Sequence, residues 1–201
     1  LAPQDLHPAR GLTAHAAMLV RDGNLPAEVL AYAMAVAPPA DVPVVIDPVS
    51  APKAVLLAPL LTARHPLFAL TPNLDELRAL LGRPVGDTEA EVTAAAELLH
   101  ARGVRHVWVR LGARGSVLST SGEGSTFLAA PPVVVADVTG AGDAMLAAFV
   151  HPLLAGGDPL DAARYGHAAA ALTVESPATV RPDLTPRLSE DALTDPADQS
   201  H

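Results

Sequence analysis

Short runs of β-branched and aliphatic residues alternate along this chain with Ala- and Leu-rich segments of helical length. Such alternation is typical of parallel strands joined by crossover helices, because a strand covered on both faces is continuously apolar. The predicted strands span residues 16–20, 42–46, 67–70 and 107–111. The predicted helices span residues 26–36, 53–64, 74–81, 141–154 and 160–174, with one more from a cap at 87–88 to 102–103. The pattern therefore predicts an α/β fold with a mostly parallel sheet.

The pattern changes in two places. Residues 116–135 form short apolar runs separated by turns, and Gly122 and Gly124 indicate a hairpin at residues 121–124, so we expect the sheet to become antiparallel at one edge. From residue 185 the chain is polar, acidic and rich in proline, which indicates a short helix followed by disorder. The predicted organisation is one α/β core over residues 1–184 and a polar tail over residues 185–201.

The composition excludes several classes of protein. Half of the 201 residues are hydrophobic and 17% are charged, as in a packed globular protein. Scattered basic residues and a formal net charge of −9 argue against broad binding to nucleic acid or to an anionic membrane. Without cysteine the chain has no disulfide, thiol nucleophile or thiolate metal site. No segment resembles a signal peptide or a membrane span, so the prediction is a cytoplasmic protein.

The most distinctive local pattern is a glycine turn at residues 137–143, DVTGAGD, which precedes a predicted helix. Gly140 and Gly142 let the backbone approach a ligand, and the unpaired amides at the start of a helix favour an anion such as phosphate. Asp143 is then well placed to accept a proton from a hydroxyl group that attacks the phosphate. The alternative is that Asp143 caps the helix.

Four segments of the chain carry a resemblance to a known family: residues 73–76 (NLDE), 110–115 (RLGARG), 137–143 (DVTGAGD) and 165–170 (YGHAAA). In sequence and in order they resemble motifs of the ribokinase-like (PfkB-type) carbohydrate kinases, and the resemblance extends to about residue 184. Within the family, residues 47–53 and 138–145 are most similar to pseudouridine kinases. The resemblance implies a ribokinase-like sheet with helices on both faces. It also implies that the chain is the C-terminal two-thirds of such a kinase, without the N-terminal part and the lid.

The resemblance assigns catalytic roles to the glycine turn. Asp143 would be the catalytic base, and three backbone amides would stabilise charge on the transferred phosphoryl group. These are the amides of Gly140, Ala141 and Gly142.

The resemblance also implies ATP, Mg²⁺ and a monovalent cation such as K⁺. Glu76, with Asn73, would hold Mg²⁺ through water; the alternative for Glu76 is a solvated carboxylate in the first turn of a helix. Asp137 and Thr139 would form part of the K⁺ site, with the loop at residues 175–180 on its other side.

Four further residues would lie near the nucleotide: Arg110, Gly112, Gly115 and His167. Arg110 replaces the small hydroxyl residue or lysine common in the family, and it either contacts phosphate or faces solvent. His167 replaces an amide-type residue, and it either contacts adenine or is a partly exposed helix histidine. Trp108 is expected in the core.

Substrate contacts are expected from Asp47, at the carboxyl end of a predicted strand, and from Lys53. Asp47 has an equal alternative as a residue that makes the turn after the strand, and Lys53 can reach either a phosphate or a structural carboxylate. The expected reaction is transfer of the γ-phosphoryl group of ATP to the 5′-hydroxyl of a nucleoside, pseudouridine first. The alternatives are a kinase for ribose, another nucleoside or another sugar, and a non-catalytic fragment that binds nucleotide or a partner chain. A truncated sheet would expose an edge, which makes a homodimer possible.

Overall fold

Six strands form one sheet in the order β1-β2-β3-β4-β5-β6 in a computed structural model that describes residues 1–35, 42–178 and 181–194. The strands are β1 (Leu19–Asp22), β2 (Val44–Asp47), β3 (Leu67–Leu70), β4 (Val104–Arg110), β5 (Ser116–Thr120) and β6 (Gly124–Leu128). Strands β1 to β4 pair in parallel, and β5 pairs antiparallel with β4. The predicted parallel sheet with an antiparallel edge is therefore confirmed.

Eight α-helices flank or follow the strands in the described residues. They are α1 (Arg10–Ala14), α2 (Ala27–Ala35), α3 (Ala51–Leu57), α4 (Leu74–Leu81), α5 (Glu89–His100), α6 (Ala141–Leu153), α7 (Pro159–Val174) and α8 (Pro186–Thr194). Three short 3₁₀ helices add Pro3–Ala9, Ala58–Leu60 and Gly112–Arg114. The predicted bounds of β3 and α4 agree with the structure to the residue.

Several predicted bounds are wrong. The first strand lies at β1 rather than at 16–20, after an unpredicted α1, and β4 begins three residues before residue 107. The helix predicted over 53–64 ends as α3 at Leu57 and continues as one 3₁₀ turn, since Pro59 has no amide to donate. Strand structure ends at Leu128 because Pro131 and Pro132 cannot donate to a ladder. Val36 and residues 195–201, which include the predicted disorder, lie outside the described residues.

The chain divides into two compact units. Unit 1 comprises Leu1–Gly112 and Ser116–Phe127, and unit 2 comprises Ala113–Gly115 and Leu128–His201. The predicted separation of residues 1–184 from the tail stays a prediction.

Unit 1 has its core between the sheet and the helices. All four residues of β2 are buried, as expected for a strand covered on both faces. Trp108 in β4 is fully buried and its Nε1 donates to Ser116 Oγ at 2.8 Å, which confirms it as a core residue.

Unit 2 contains the packed helices α6 and α7. Ala148 of α6 lies against Tyr165 and Ala169 of α7. The hydroxyl of Tyr165 donates to the carbonyl of Pro186 at 2.9 Å and so ties α8 to α7, which confirms a helix at the start of the tail. Throughout the described part of the chain, no helix has the length and apolarity needed to span a membrane.

Candidate active site

An arginine and two carboxylates form a buried charged cluster in unit 1. The Arg110 Nη2 atom lies 3.1 Å from Asp47 Oδ2 and 3.4 Å from Glu76 Oε2. Asp47 and Arg110 end two parallel strands of the sheet, and Glu76 lies in the first turn of α4. The cluster therefore lies at the carboxyl edge of the sheet, where open α/β sheets bind ligands. The alternative in which Arg110 faces solvent is wrong, because the Arg110 side chain is 16% exposed and bridges two acids.

Asn73 and Glu76 form a capping box at the start of α4. Asn73 Oδ1 accepts from the Glu76 amide at 2.9 Å, and the Asn73 amide donates to Glu76 Oε2 at 2.8 Å. The side-chain nitrogen of Asn73 also donates to Glu76 Oε1 at 2.8 Å. The spacing of residues 73–76 thus has a local structural reason as well as a chemical one.

The Glu76 carboxylate is buried, with a side-chain exposure of 2%, so the alternative of a solvated carboxylate is wrong. Burial raises the pKa of Glu76, while the hydrogen bond from the Asn73 backbone and the charge of Arg110 oppose the rise. The net effect is a carboxyl group that takes up a proton more readily than an exposed glutamate.

The oxygen donors fit a magnesium ion that keeps its water shell. Mg²⁺ binds through one or two carboxylates and several waters, and Glu76 offers one carboxylate at the carboxyl edge of the sheet. Both ends of the Asn73 side-chain amide are hydrogen-bonded to Glu76, so Asn73 orients the carboxylate. In the described ranges, no three acidic or histidine side chains gather into a metal cage.

Asp47 makes the turn after β2 and also joins the cluster. Its Oδ1 accepts from the Val49 amide at 2.8 Å, and its Oδ2 accepts from Thr71 Oγ1 at 3.2 Å. The prediction of a turn-making aspartate is confirmed. Val49 has a φ of 69°, which is costly for a β-branched residue, so the turn is held under strain beside the cluster.

Lys53 contacts neither a carboxylate of the cluster nor any other acid in the described residues. Its Nζ donates to the side-chain oxygen of Asn24, in the turn after β1. Gly23 precedes this turn, and a Cβ there would lie 2.5 Å from the Pro48 carbonyl oxygen. Lys53 therefore links the start of α3 to the turn after β1, and its role in substrate binding stays a prediction.

In unit 2, the glycine turn leads directly into α6. Gly140 is the N-cap with a φ of 81°, in the left-handed region that favours glycine. Asp143 is exposed at the third position of the helix, and among the described residues its carboxylate has no hydrogen-bond or ion-pair partner. The alternative in which Asp143 caps the helix is therefore wrong.

The amides of this turn are mostly uncommitted. The Ala141 amide makes a long bond of 3.3 Å to the Val138 carbonyl oxygen. The amides of Gly140, Gly142 and Asp143 have no partner within the part of the chain that the structure describes. Amides of this kind at the start of a helix favour an anion.

Asp137 and Thr139 form a compact turn before the helix. Asp137 Oδ1 accepts from the Thr139 amide at 2.9 Å and from Thr139 Oγ1 at 2.8 Å. The hydrogen bond from the Thr139 amide, followed by that from its hydroxyl, lowers the pKa of Asp137. Residues 179–180 of the other predicted side of a K⁺ site lie outside the described residues.

His167 lies in α7 with an exposure of 8%, so the prediction of a partly exposed histidine is wrong. Burial lowers its pKa to about 4. The imidazole is therefore neutral near pH 7.

Gly112 and Gly115 differ in their surroundings. Both have positive φ, but a Cβ on Gly112 would meet nothing within 4 Å, whereas one on Gly115 would lie 1.9 Å from the Leu128 carbonyl oxygen. Packing therefore requires glycine at position 115, and its predicted place near the nucleotide stays a prediction.

Alanine at Gly115 is expected to lower the free energy of unfolding by about 3 kcal/mol, because the left-handed backbone and the clash both oppose a side chain. Alanine at Gly112 is the matched control, for which we expect about 1 kcal/mol from the backbone alone. Urea unfolding of both variants measures the difference. Equal losses would contradict the packing role of Gly115.

Comparison with known proteins decides the family. A model of the pfkB family of carbohydrate kinases matches residues 2–186. This chain belongs to the PfkB family. The resemblance seen in its four motifs is thereby confirmed at the level of the family.

Two curated relatives illustrate the range of names among PfkB proteins. The chain is 34% identical over 186 residues to the uncharacterized sugar kinase YeiI of Escherichia coli, covering 92% of this chain and 49% of the relative. It is 42% identical over 129 residues to a 1-phosphofructokinase of Haloferax volcanii, covering 63% of this chain and 39% of the relative. The chain thus spans less than half of the length of either relative.

Solved structures of similar proteins share the fold. A carbohydrate kinase from Agrobacterium tumefaciens is 30% identical with a TM-score of 0.76, covering 96% of this chain and 59% of that one. Ribokinase of Arabidopsis thaliana, solved with ribose and ATP, is 25% identical with a TM-score of 0.74, covering 94% of this chain and 59% of that one. The predicted ribokinase-like fold is confirmed, while the place of this chain within a longer kinase stays a prediction.

Two residues that contact Asp47 in the charged cluster were not predicted from the sequence. Thr71 follows β3 directly, and a polar residue at the carboxyl end of a buried strand is a signal that could have revealed it. The strained Val49 has no such signal, because a β-branched residue seldom adopts positive φ.

Proposed function

We propose that this PfkB protein transfers the γ-phosphoryl group of ATP to an alcohol, with Asp143 as the catalytic base. One observation carries the proposal: Asp143 is exposed and unpartnered among the described residues, three positions after the left-handed Gly140 that caps α6. Asp143 would also stabilise the start of the helix through its charge if it had no catalytic role. That role alone would not explain why the neighbouring backbone amides are left open for an anion.

Each group in the turn has a defined task in this reaction. The Asp143 carboxylate takes the proton of the acceptor hydroxyl as its oxygen bonds to the γ-phosphorus and the bond to the β-phosphate oxygen breaks. The amides of Gly140, Ala141 and Gly142 donate to the phosphoryl oxygens, where negative charge accumulates. The products are ADP and a phosphate ester.

Glu76, oriented by Asn73, would hold Mg²⁺ through water at the carboxyl edge of the sheet. When bound, Mg²⁺ neutralises charge on the phosphates. Asp137 and its Thr139 turn are the proposed part of a K⁺ site, since the carboxylate has one oxygen that Thr139 does not use. Gly112 and Gly115 are the proposed neighbours of the nucleotide, and the neutral His167 is the proposed contact to adenine.

The proposed acceptor is the 5′-hydroxyl of a nucleoside, pseudouridine first. Support comes from residues 47–53 and 138–145, which resemble pseudouridine kinases more than other members of the family. Sugar acceptors are the second candidate, because similar proteins bear the names ribokinase and 1-phosphofructokinase. Asp47 and Lys53 are the proposed substrate contacts.

The test is ADP release by the 201-residue chain with ATP, Mg²⁺ and K⁺. Pseudouridine, uridine, adenosine, ribose and fructose 1-phosphate are offered separately. We expect pseudouridine to give the highest kcat/KM, and a higher value for ribose or fructose 1-phosphate would replace the nucleoside by a sugar. ATP binding without turnover on any acceptor would contradict the kinase and support a non-catalytic nucleotide-binding chain.

A further inference from the structure

The charged cluster of unit 1 contains two carboxylates, Asp47 and Glu76, and one cation, Arg110. Asp47 and Glu76 each pair with Arg110, and the described residues hold no second cation paired with either acid. Lys53, the nearest basic residue in sequence to Asp47, is bonded to Asn24 instead. With all three groups ionised, the cluster carries one uncompensated negative charge.

The contacts of Arg110 are unequal. Its Nη2 lies 3.1 Å from Asp47 Oδ2 and 3.3 Å from Asp47 Oδ1, but 3.4 Å from a single oxygen of Glu76. Each Glu76 oxygen also accepts a hydrogen bond from Asn73. Arg110 therefore compensates Asp47 first, and Glu76 retains the net charge.

Arg110 is poorly arranged to bind a phosphate with its fork. Its Nε is buried without a hydrogen-bond partner among the described residues, and its side chain is only 16% exposed. Arginine recognises phosphate best through two parallel N–H donors. In Arg110 the pair formed by Nε and Nη2 is unavailable, because Nε is buried and Nη2 faces the two carboxylates. Contact with a phosphate through Nη1 alone is the remaining alternative.

We propose that Arg110 is a positioning residue that cancels the charge of Asp47, so that Glu76 presents a single negative charge to the magnesium-bound nucleotide. The inference rests on the proposed function, since it assumes that ATP and Mg²⁺ bind at this edge. It assigns to Asp47 and Arg110 a joint role in nucleotide affinity. Asp47 without Arg110 adds a second negative charge, Arg110 without Asp47 cancels the charge of Glu76, and neither residue is needed for nucleotide affinity when both are absent.

The test is a double-substitution cycle with Arg110→Gln, Asp47→Asn and the combined variant, in which the net charge of the cluster equals that of the parent. Affinity for a non-hydrolysable ATP analogue with Mg²⁺ is measured by calorimetry at pH 8. We expect Arg110→Gln to weaken binding about tenfold or more, because like charges then face the phosphates. In the combined variant we expect affinity within about threefold of the parent.

A direct phosphate contact predicts a different result. The combined variant would then bind as weakly as Arg110→Gln, and this outcome would overturn the inference. Should Arg110→Gln fail to fold, Arg110→Lys keeps the charge, and we expect it to bind within about threefold of the parent. A loss of about tenfold in Arg110→Lys would also overturn the inference.

The matched control is Arg164→Gln, which opens an exposed ion pair with Asp161 in α7 and should leave nucleotide affinity unchanged. Failure of the parent chain to bind the analogue would contradict the proposed function, and the inference would fall with it. Binding by the parent without recovery in the combined variant would contradict the inference alone.

Discussion

Replacing Asp143 by asparagine is expected to lower kcat by about 10²- to 10⁴-fold, the usual contribution of a general base. Asparagine keeps the size of the side chain and can still donate hydrogen bonds, but it cannot take the proton of the acceptor. Because the Asp143 side chain has no partner within the described residues, the substitution breaks no contact there. Steady-state ADP release gives kcat, and calorimetry with the ATP analogue should show little change in affinity.

Asp161→Asn is the control for this substitution. Asp161 is also an exposed acid at the third position of a helix, in α7, so both changes remove a similar favourable interaction with a helix dipole. Asp161→Asn also opens the exposed ion pair with Arg164, which contributes little to stability. We expect Asp161→Asn to keep the kcat of the parent. Turnover by Asp143→Asn at the rate of the parent would contradict the assignment of the base.

A second large effect concerns stability at acid pH. Burial holds the pKa of His167 at about 4, below the ordinary value of 6.5 for histidine, so the unfolded chain binds a proton there more readily than the folded one. The resulting stability is fully present above pH 6.5 and is lost as the pH falls to about 4. The expected loss is about 3 kcal/mol.

The variant His167→Gln isolates this contribution, because glutamine is polar and does not titrate. Urea unfolding at intervals from about pH 4 to 8 is expected to show a shallower decrease in the variant than in the parent. The difference should be confined to the interval between the two pKa values of His167. Parallel curves for parent and variant would show that the imidazole is already free to ionise in the folded protein.

Local patterns account for the elements that were predicted accurately. The bounds of α4 follow from Asn73, whose capping box begins the helix, and from Gly82, whose left-handed φ of 63° ends it. Both signals lie within a few residues of the helix and are legible without tertiary contacts. By contrast, α1 has no capping side chain, and the apolar positions around it resemble the start of a strand.

The candidate site shows the same division. The turn before α6 has uncommitted amides, and this open backbone was predictable from Gly140 and Gly142. The roles of Glu76 and Arg110 were only half predictable. The motifs that contain these two residues could be recognised in the sequence. Their burial could not be predicted, since it depends on which strands become neighbours in the sheet.

The α/β class, the glycine turn and the capping box follow from local sequence, because each depends on residues close together in the chain. The pairing of Arg110 with Asp47, 63 residues earlier, and with Glu76, 34 residues earlier, follows from the fold instead. Such pairs form because parallel strands bring their carboxyl ends to one edge, where burial makes an unpaired charge costly. Burial also explains the neutral state of His167, which follows from packing within unit 2 and not from its neighbours in sequence.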